Sequence, residues 1–90
     1  MTTSSKIKER ERLKERYNDV TVRMFGYVTL YSKDSGKFRA NIEPNKKFDK
    51  EYGNLGNLEL NRERVRLCSE MNELATLDVL AEENKMWENE

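Results

Sequence analysis

The amino-acid sequence predicts an α+β domain: a charged N-terminal helix, a β-hairpin, a short helical turn and a long C-terminal helix that is either broken near residues 76–78 or continuous with two apolar faces. Three observations carry that prediction. A run of Lys, Glu and Arg opens the chain. A segment of alternating β-branched and aromatic residues follows, around a Lys-Asp-Ser-Gly turn. From Leu60 onward, apolar residues recur at helical spacing.

The opening run, Ser5 to Tyr17, reads SKIKERERLKERY. Lys, Glu and Arg favour helix over strand, and Ser4 or Ser5 is placed to cap it. Leu13 and Tyr17 share a face. Lys6, Lys8, Arg10, Arg12, Lys14 and Arg16 all fall on even positions. In a helix this sets like charges four apart, which opposite charges three apart (Glu9 and Arg12, Glu11 and Lys14) partly offset. In an extended arm the same six cations line one edge.

Asn18-Asp19 reads as a turn, and VTVRMFGYVTLY from Val20 to Tyr31 as a strand. Val20, Val22, Met24, Val28 and Leu30 then share one face. Gly26, in the middle, suggests a bulge or a close backbone approach. Lys33 to Gly36 has turn chemistry, with Gly36 free to take a positive φ. Lys37 to Glu43 alternates again, with Phe38, Ala40 and Ile42 on one side, until Pro44 stops the strand. Asn45 is placed to cap a helical turn from Lys46 to Tyr52, in which Phe48 and Tyr52 lie four apart and Gly53 ends the turn. The Gly-Asn-Leu pair at 53–58 reads as a loop pinned by its leucines. Asn61 then caps the main helix, whose stripe is Leu60, Leu67, Met71, Leu74 and Ala75, with Cys68 at its margin. Asp78 interrupts that stripe. Beyond it, Val79, Leu80, Met86 and Trp87 cluster on a rotated face, roughly 130° away at 100° per residue. The apolar hairpin face is expected to pack on Leu67, Met71, Leu74 and Ala75. The unpaired sheet edges are open to a second copy.

Ninety residues make one small domain, 1–90, with residues 1–5 expected to be disordered. Charged residues are 38% of the chain, well above the usual quarter, so the core is thin. A chain this short buries only roughly 60–65% of its unfolded surface, and association is a common remedy. The formal charge is zero, but residues 1–50 hold thirteen Lys/Arg against seven Asp/Glu, and residues 51–90 hold four against ten. The halves therefore attract each other, within one chain or between copies. A single cysteine rules out an intrachain disulfide and points to a cytoplasmic setting. No apolar run approaches spanning length, so no membrane association is expected. The N-terminal segment lacks the apolar stretch of a secretory leader.

Catalytic residues are not expected. The chain has no histidine, which removes the commonest neutral-pH base and any Ser-His or Cys-His nucleophile pair. Cys68, beside an apolar stripe, reads as a packed, inert thiol. No glycine-rich phosphate loop, cofactor motif or calcium loop is present, so neither cofactor nor metal is expected. The carboxylates Glu70, Glu73, Glu82 and Glu83 read as a solvated face.

Two binding readings follow. In the first, the chain is a protein-interaction module, an adaptor or inhibitor of a larger machine, with another protein or a second copy of itself (a homodimer) as partner. Met86 and Trp87 form its anchor among Glu82, Glu83, Glu88 and Glu90. An apolar centre with an acidic rim suits a basic groove, such as residues 6–16 of a second copy. In the alternative, the chain binds nucleic acid through Lys6, Lys8, Arg10, Arg12, Lys14 and Arg16, with Arg23, Lys37 and Arg39 on the hairpin and Tyr27 and Tyr31 nearby. Interleaved glutamates and a zero net charge count against this second reading.

Overall fold

A computed structural model describes residues Thr2 to Glu88. The chain forms α1 (Thr3–Phe25), a hairpin of β1 (Tyr27–Ser32) and β2 (Gly36–Asn41), a 3-10 turn (Lys46–Phe48) running into α2 (Asp49–Tyr52), then α3 (Asn57–Glu73) and α4 (Leu77–Glu88). It is an α+β fold with the predicted order of elements, and the C-terminal helical segment is two helices, interrupted at Leu74–Thr76, with Asp78 in the first turn of α4.

The largest departure from the sequence reading is α1. It runs through Asn18-Asp19 and on to Phe25, so the strand expected from Val20 begins only at Tyr27. Leu13, Tyr17, Val20 and Met24 explain this, because their spacing of four, three and four is one helical stripe. That stripe packs on Leu60 and Leu67 of α3, with Phe48 and Tyr52 closing the core and Met71 and Leu74 packed against it. Burial of this row outweighs the β preference of the individual valines. Helix α1 starts earlier than expected as well. The cap is Thr2, whose Oγ1 accepts from the Ser5 backbone N–H at 3.1 Å, and Thr3 to Ser5 form the first turn. Met1 lies outside the described residues. Gly26 is neither a bulge nor a mid-strand approach. It ends α1 in the left-handed region at φ 80°, donating its N–H to the Val22 carbonyl at 2.7 Å.

The hairpin pairs Tyr27 with Asn41 and Ser32 with Gly36, and Gly36 takes the positive φ its turn requires, 69°. Its apolar face does not cover the α3 stripe, because α1 already occupies that stripe. Val28 is buried and lines one small cavity with Val22, whereas Phe38 and Ile42 stay exposed. Among the described residues β1 and β2 pair only with each other, which leaves both outer edges free.

Asp19, read as part of a turn, is a buried clamp. Its Oδ2 accepts from Arg23 Nε at 2.8 Å and its Oδ1 from the Asn45 backbone N–H at 2.6 Å. Arg23 donates onward to the Asn45 carbonyl and to Asp49 Oδ1. The chain returning from the hairpin is thereby tied to α1. Asn45 caps the following turn as expected, accepting from the Lys47 N–H at 3.0 Å. Phe48 and Tyr52 are both buried, with ring centroids 5.8 Å apart. Helix α3 begins a turn before the expected Asn61. Its cap is Gly56, whose N–H donates to the Glu59 carboxylate. Leu58 therefore sits exposed on α3, and only Leu55 of the loop pair packs on the core.

Candidate binding surfaces on the two sides of α4

Helical geometry redistributes the six even-numbered cations. A step of two residues turns about 200°, so they fall into two i, i+4 rows, Lys6-Arg10-Lys14 and Lys8-Arg12-Arg16. The expected single edge of an extended arm does not form. Several of these cations are engaged within the chain. Arg10 Nε donates to both Glu83 oxygens, at 3.2 and 3.0 Å, and its Nη1 to the Met71 carbonyl. Arg12 pairs with Glu9, and Arg16 pairs with Glu51 while stacking 4.9 Å from the Phe48 ring centroid. The Glu51 carboxylate holds the Arg16 guanidinium above its ordinary pKa, with the Tyr52 hydroxyl adding to the effect. Arg23 is consumed by the Asp19 clamp. Among the described residues Lys6, Lys8, Lys14 and Lys37 form no ion pair. Arg39 lies 4.5 Å over the Tyr27 ring. The nine cations singled out in the sequence thus do not make one patch. The opposite charges of the two halves meet within one chain at Arg10–Glu83 and Arg16–Glu51.

Met86 and Trp87 are 47% and 44% exposed. As neighbours on a helix they point about 100° apart, and they share one cleft with Ile7, Arg10 and Met71 along the α1–α4 seam. Beyond that cleft they part. Met86 opens on a hollow of about 570 Å³ between α4 and the start of α1, with Ile7 beneath it and Lys8, Glu11, Asp78 and Glu82 around it. Asp78, the residue that breaks the stripe, fixes this side. Its carboxylate accepts from the hydroxyls of Thr3 and Thr76, which draw its pKa down to about 2. Trp87 opens on a second groove, of about 480 Å³, between α1, β1 and the α3–α4 corner. Lys33 of the hairpin turn sits 5.6 Å over the indole and donates to the Glu88 carbonyl.

Of the expected anchor residues, Met86 and Glu82 therefore come together in one hollow. Trp87 faces elsewhere, and Glu83 is turned inward onto Arg10. Glu88 meets the hairpin through its carbonyl, and Glu90 lies outside the described residues. Sequence reasoning did not single out Tyr17, Asn18 or Asn72 as site residues, although the i, i+3, i+4 spacing of Lys14, Tyr17 and Asn18 places them on one side of a helix. Cys68 is exposed and not packed. It faces an open cleft beside Tyr17 and Arg64, because α3 turns its Leu60–Leu67 row to the core and carries Cys68 on the flank.

Among the described residues no group of three or more Cys, Asp or Glu side chains is placed to hold a metal ion, and no helix is long and apolar enough to cross a membrane. No family model, curated protein or solved structure matches the chain.

Proposed function

We propose that this chain is a non-catalytic protein-interaction module, an adaptor or inhibitor type of protein that docks a basic partner in the hollow beside Met86. The observation that carries this reading is the chemistry of that hollow. A half-exposed methionine sits over the apolar Ile7 and is bordered by Glu11, Asp78 and Glu82 against Lys8 alone. Methionine adapts its shape to an incoming side chain, and an acidic rim selects a cationic neighbour.

A second copy of the chain has the required complement. Residues 27–50 carry six Lys/Arg against three Asp/Glu, while α4 carries four acids against one lysine. The lone, unpaired Cys68 supports a reducing, cytoplasm-like compartment for such a module.

The test is mass in solution by light scattering at micromolar protein and low salt, on the native chain and on Met86→Lys. Residue 86 is half-exposed, so the substitution should leave the fold in place. The expected result is a mass above one chain for the native protein and one chain for the variant. Should the native chain stay monomeric, capture from a nuclease-treated lysate of the source cell with both proteins as bait decides the matter. A protein retained by the native chain and lost with Met86→Lys identifies a foreign partner. Identical retention by both baits, on top of a native monomer, rejects the reading.

A further inference from the structure

The groove on the other side of α4 has a different character. Among the described residues its lining contains no aspartate or glutamate, in a chain where Asp and Glu number seventeen. Lys14 and Arg10 reach it from α1, and three aromatic side chains, Tyr17, Tyr31 and Trp87, border it. Arg10 is occupied by Glu83 and the Met71 carbonyl, which leaves Lys14 as the cation inside the groove that makes no ion pair.

The hairpin continues this surface. Tyr27, Thr29 and Tyr31 alternate along β1 and therefore share a face, and their cross-strand partners on β2 are Asn41, Arg39 and Lys37. All six are uncharged or cationic. Tyr31 is 68% exposed, and Lys37 opposite it forms no ion pair among the described residues. Exposed rings at intervals, cations between them and an absence of acids are what a single-stranded nucleic acid requires. Each unstacked base offers a π-face to a ring, and the phosphates are met by lysine and arginine. A duplex hides its base faces and cannot use the rings. The amides of Asn18 and Asn72, both at the groove, have donors and acceptors to offer a base edge.

We infer that the Trp87–Tyr31–Lys14 groove and the adjoining hairpin face bind single-stranded nucleic acid, independently of the Met86 hollow. The two ring platforms are Trp87, in the groove, and Tyr31, at its hairpin border. Lys14, Lys37 and Arg39 are the phosphate contacts. The N-terminal row Lys8-Arg12-Arg16 lies on the other flank of α1 and takes no part.

Trp87 is the sole tryptophan of the chain, so its emission reports on its own site. The probe is an eight-nucleotide oligothymidylate carrying a 5′ dye, added to the full chain at low salt and followed by tryptophan quenching and by dye anisotropy. Binding should be saturable in both signals. With three phosphate contacts on a single strand, log affinity should fall against log salt with a slope of about −2. Tyr31→Ala should weaken binding at least about fivefold, the lower bound for losing one stacked base. Lys14→Gln should reduce the slope by about 0.7. Both residues are exposed, and unchanged circular dichroism of the two variants confirms that they remain folded. Arg12→Gln, on the other flank, should leave the affinity and slope as they are.

Three results overturn the inference. One is no anisotropy change at low salt. Another is binding that survives both Tyr31→Ala and Lys14→Gln. The third is equal displacement of the oligomer by a polyglutamate peptide of matched charge, which makes the groove a general anion or acidic-peptide site. Glu82→Gln, which alters the Met86 hollow and lies outside both the groove and the cleft that Met86 shares with Trp87, should bind the oligomer as the native chain does, so a failure here and a failure of the protein-docking reading are told apart.

Discussion

Helices α3 and α4 both pack on α1, and they do so by different means. The α1–α3 seam is apolar and continuous: Leu13, Val20, Leu60 and Leu67 are all buried in one cluster with Phe48 and Tyr52. Helix α4 buries one residue fully, Val79, and otherwise holds on through polar clips. Asp78 accepts from Thr3, Glu83 from Arg10, and the Glu88 carbonyl from Lys33. Stability is concentrated in the first seam. The exposed Leu77, Leu80, Met86 and Trp87, and both candidate binding surfaces, belong to the second. Elements that must meet a partner are drawn from the weakly buried end of a structure, because only they have unfilled surface.

The contrast breaks most visibly if the two seams respond alike to truncation. Leu67→Ala removes a side chain with no solvent exposure from the centre of the α1–α3 seam. It should cost about 4 kcal/mol, most of the stability of a domain this small. Urea denaturation should show a largely unfolded chain, α4 included.

The Asp19 clamp belongs to the same strong half. Asp19→Ala leaves Arg23, which is almost fully buried, with Asp49 as its only carboxylate among the described residues and strands the Asn45 N–H. The expected loss is about 3 kcal/mol, read from the same denaturation curves. A loss under about 1 kcal/mol would show that the clamp is solvated in solution.

Val79→Ala probes the weak seam. It should cost about 2 kcal/mol, from the methyl groups removed and the small void they leave. The cost should be local. Amide exchange should accelerate through α4 while α1 and α3 keep their protection, and Trp87 emission should shift to the red. Equal loss of protection in all three helices would mean that the chain is a single cooperative unit, and the distinction between seams would fall.

The smallest effect concerns pH. The folded pKa of Asp78, about 2, lies below its ordinary value of 3.8. Its contribution is therefore fully present above about pH 4, is lost as pH falls from there towards 2, and does not change below that. Fraying of the α4 N-terminus, followed by amide exchange, should grow across that window. Thr3→Val removes the first hydroxyl that holds the carboxylate and should flatten the response.

Element types and their order were legible in the residues alone, and Asp78 marked where the apolar stripe stops, but only the structure chose a broken helix over a continuous one with two faces. The Lys33–Gly36 turn needs its glycine, the Asn45 cap needs its amide, and a carboxylate cannot continue a buried stripe. Those are local requirements, met within a few residues. Only the tertiary structure decided the fate of Val20 to Phe25. Val20, Val22 and Met24 fit a period of two, while Leu13, Tyr17, Val20 and Met24 fit a helical period. A short apolar run satisfies both, and burial against Leu60 and Leu67 selects the helix. That choice moved the hairpin off the α3 stripe, made Asp19 a buried clamp and divided the six N-terminal cations between two flanks. It also separated Met86 from Trp87, because an acidic hollow and an acid-free groove on either side of α4 exist only once α1, the hairpin and α4 are brought together. Residue spacing sets which side chains share a face of one element. Which faces of different elements enclose a site is decided by burial over the whole chain.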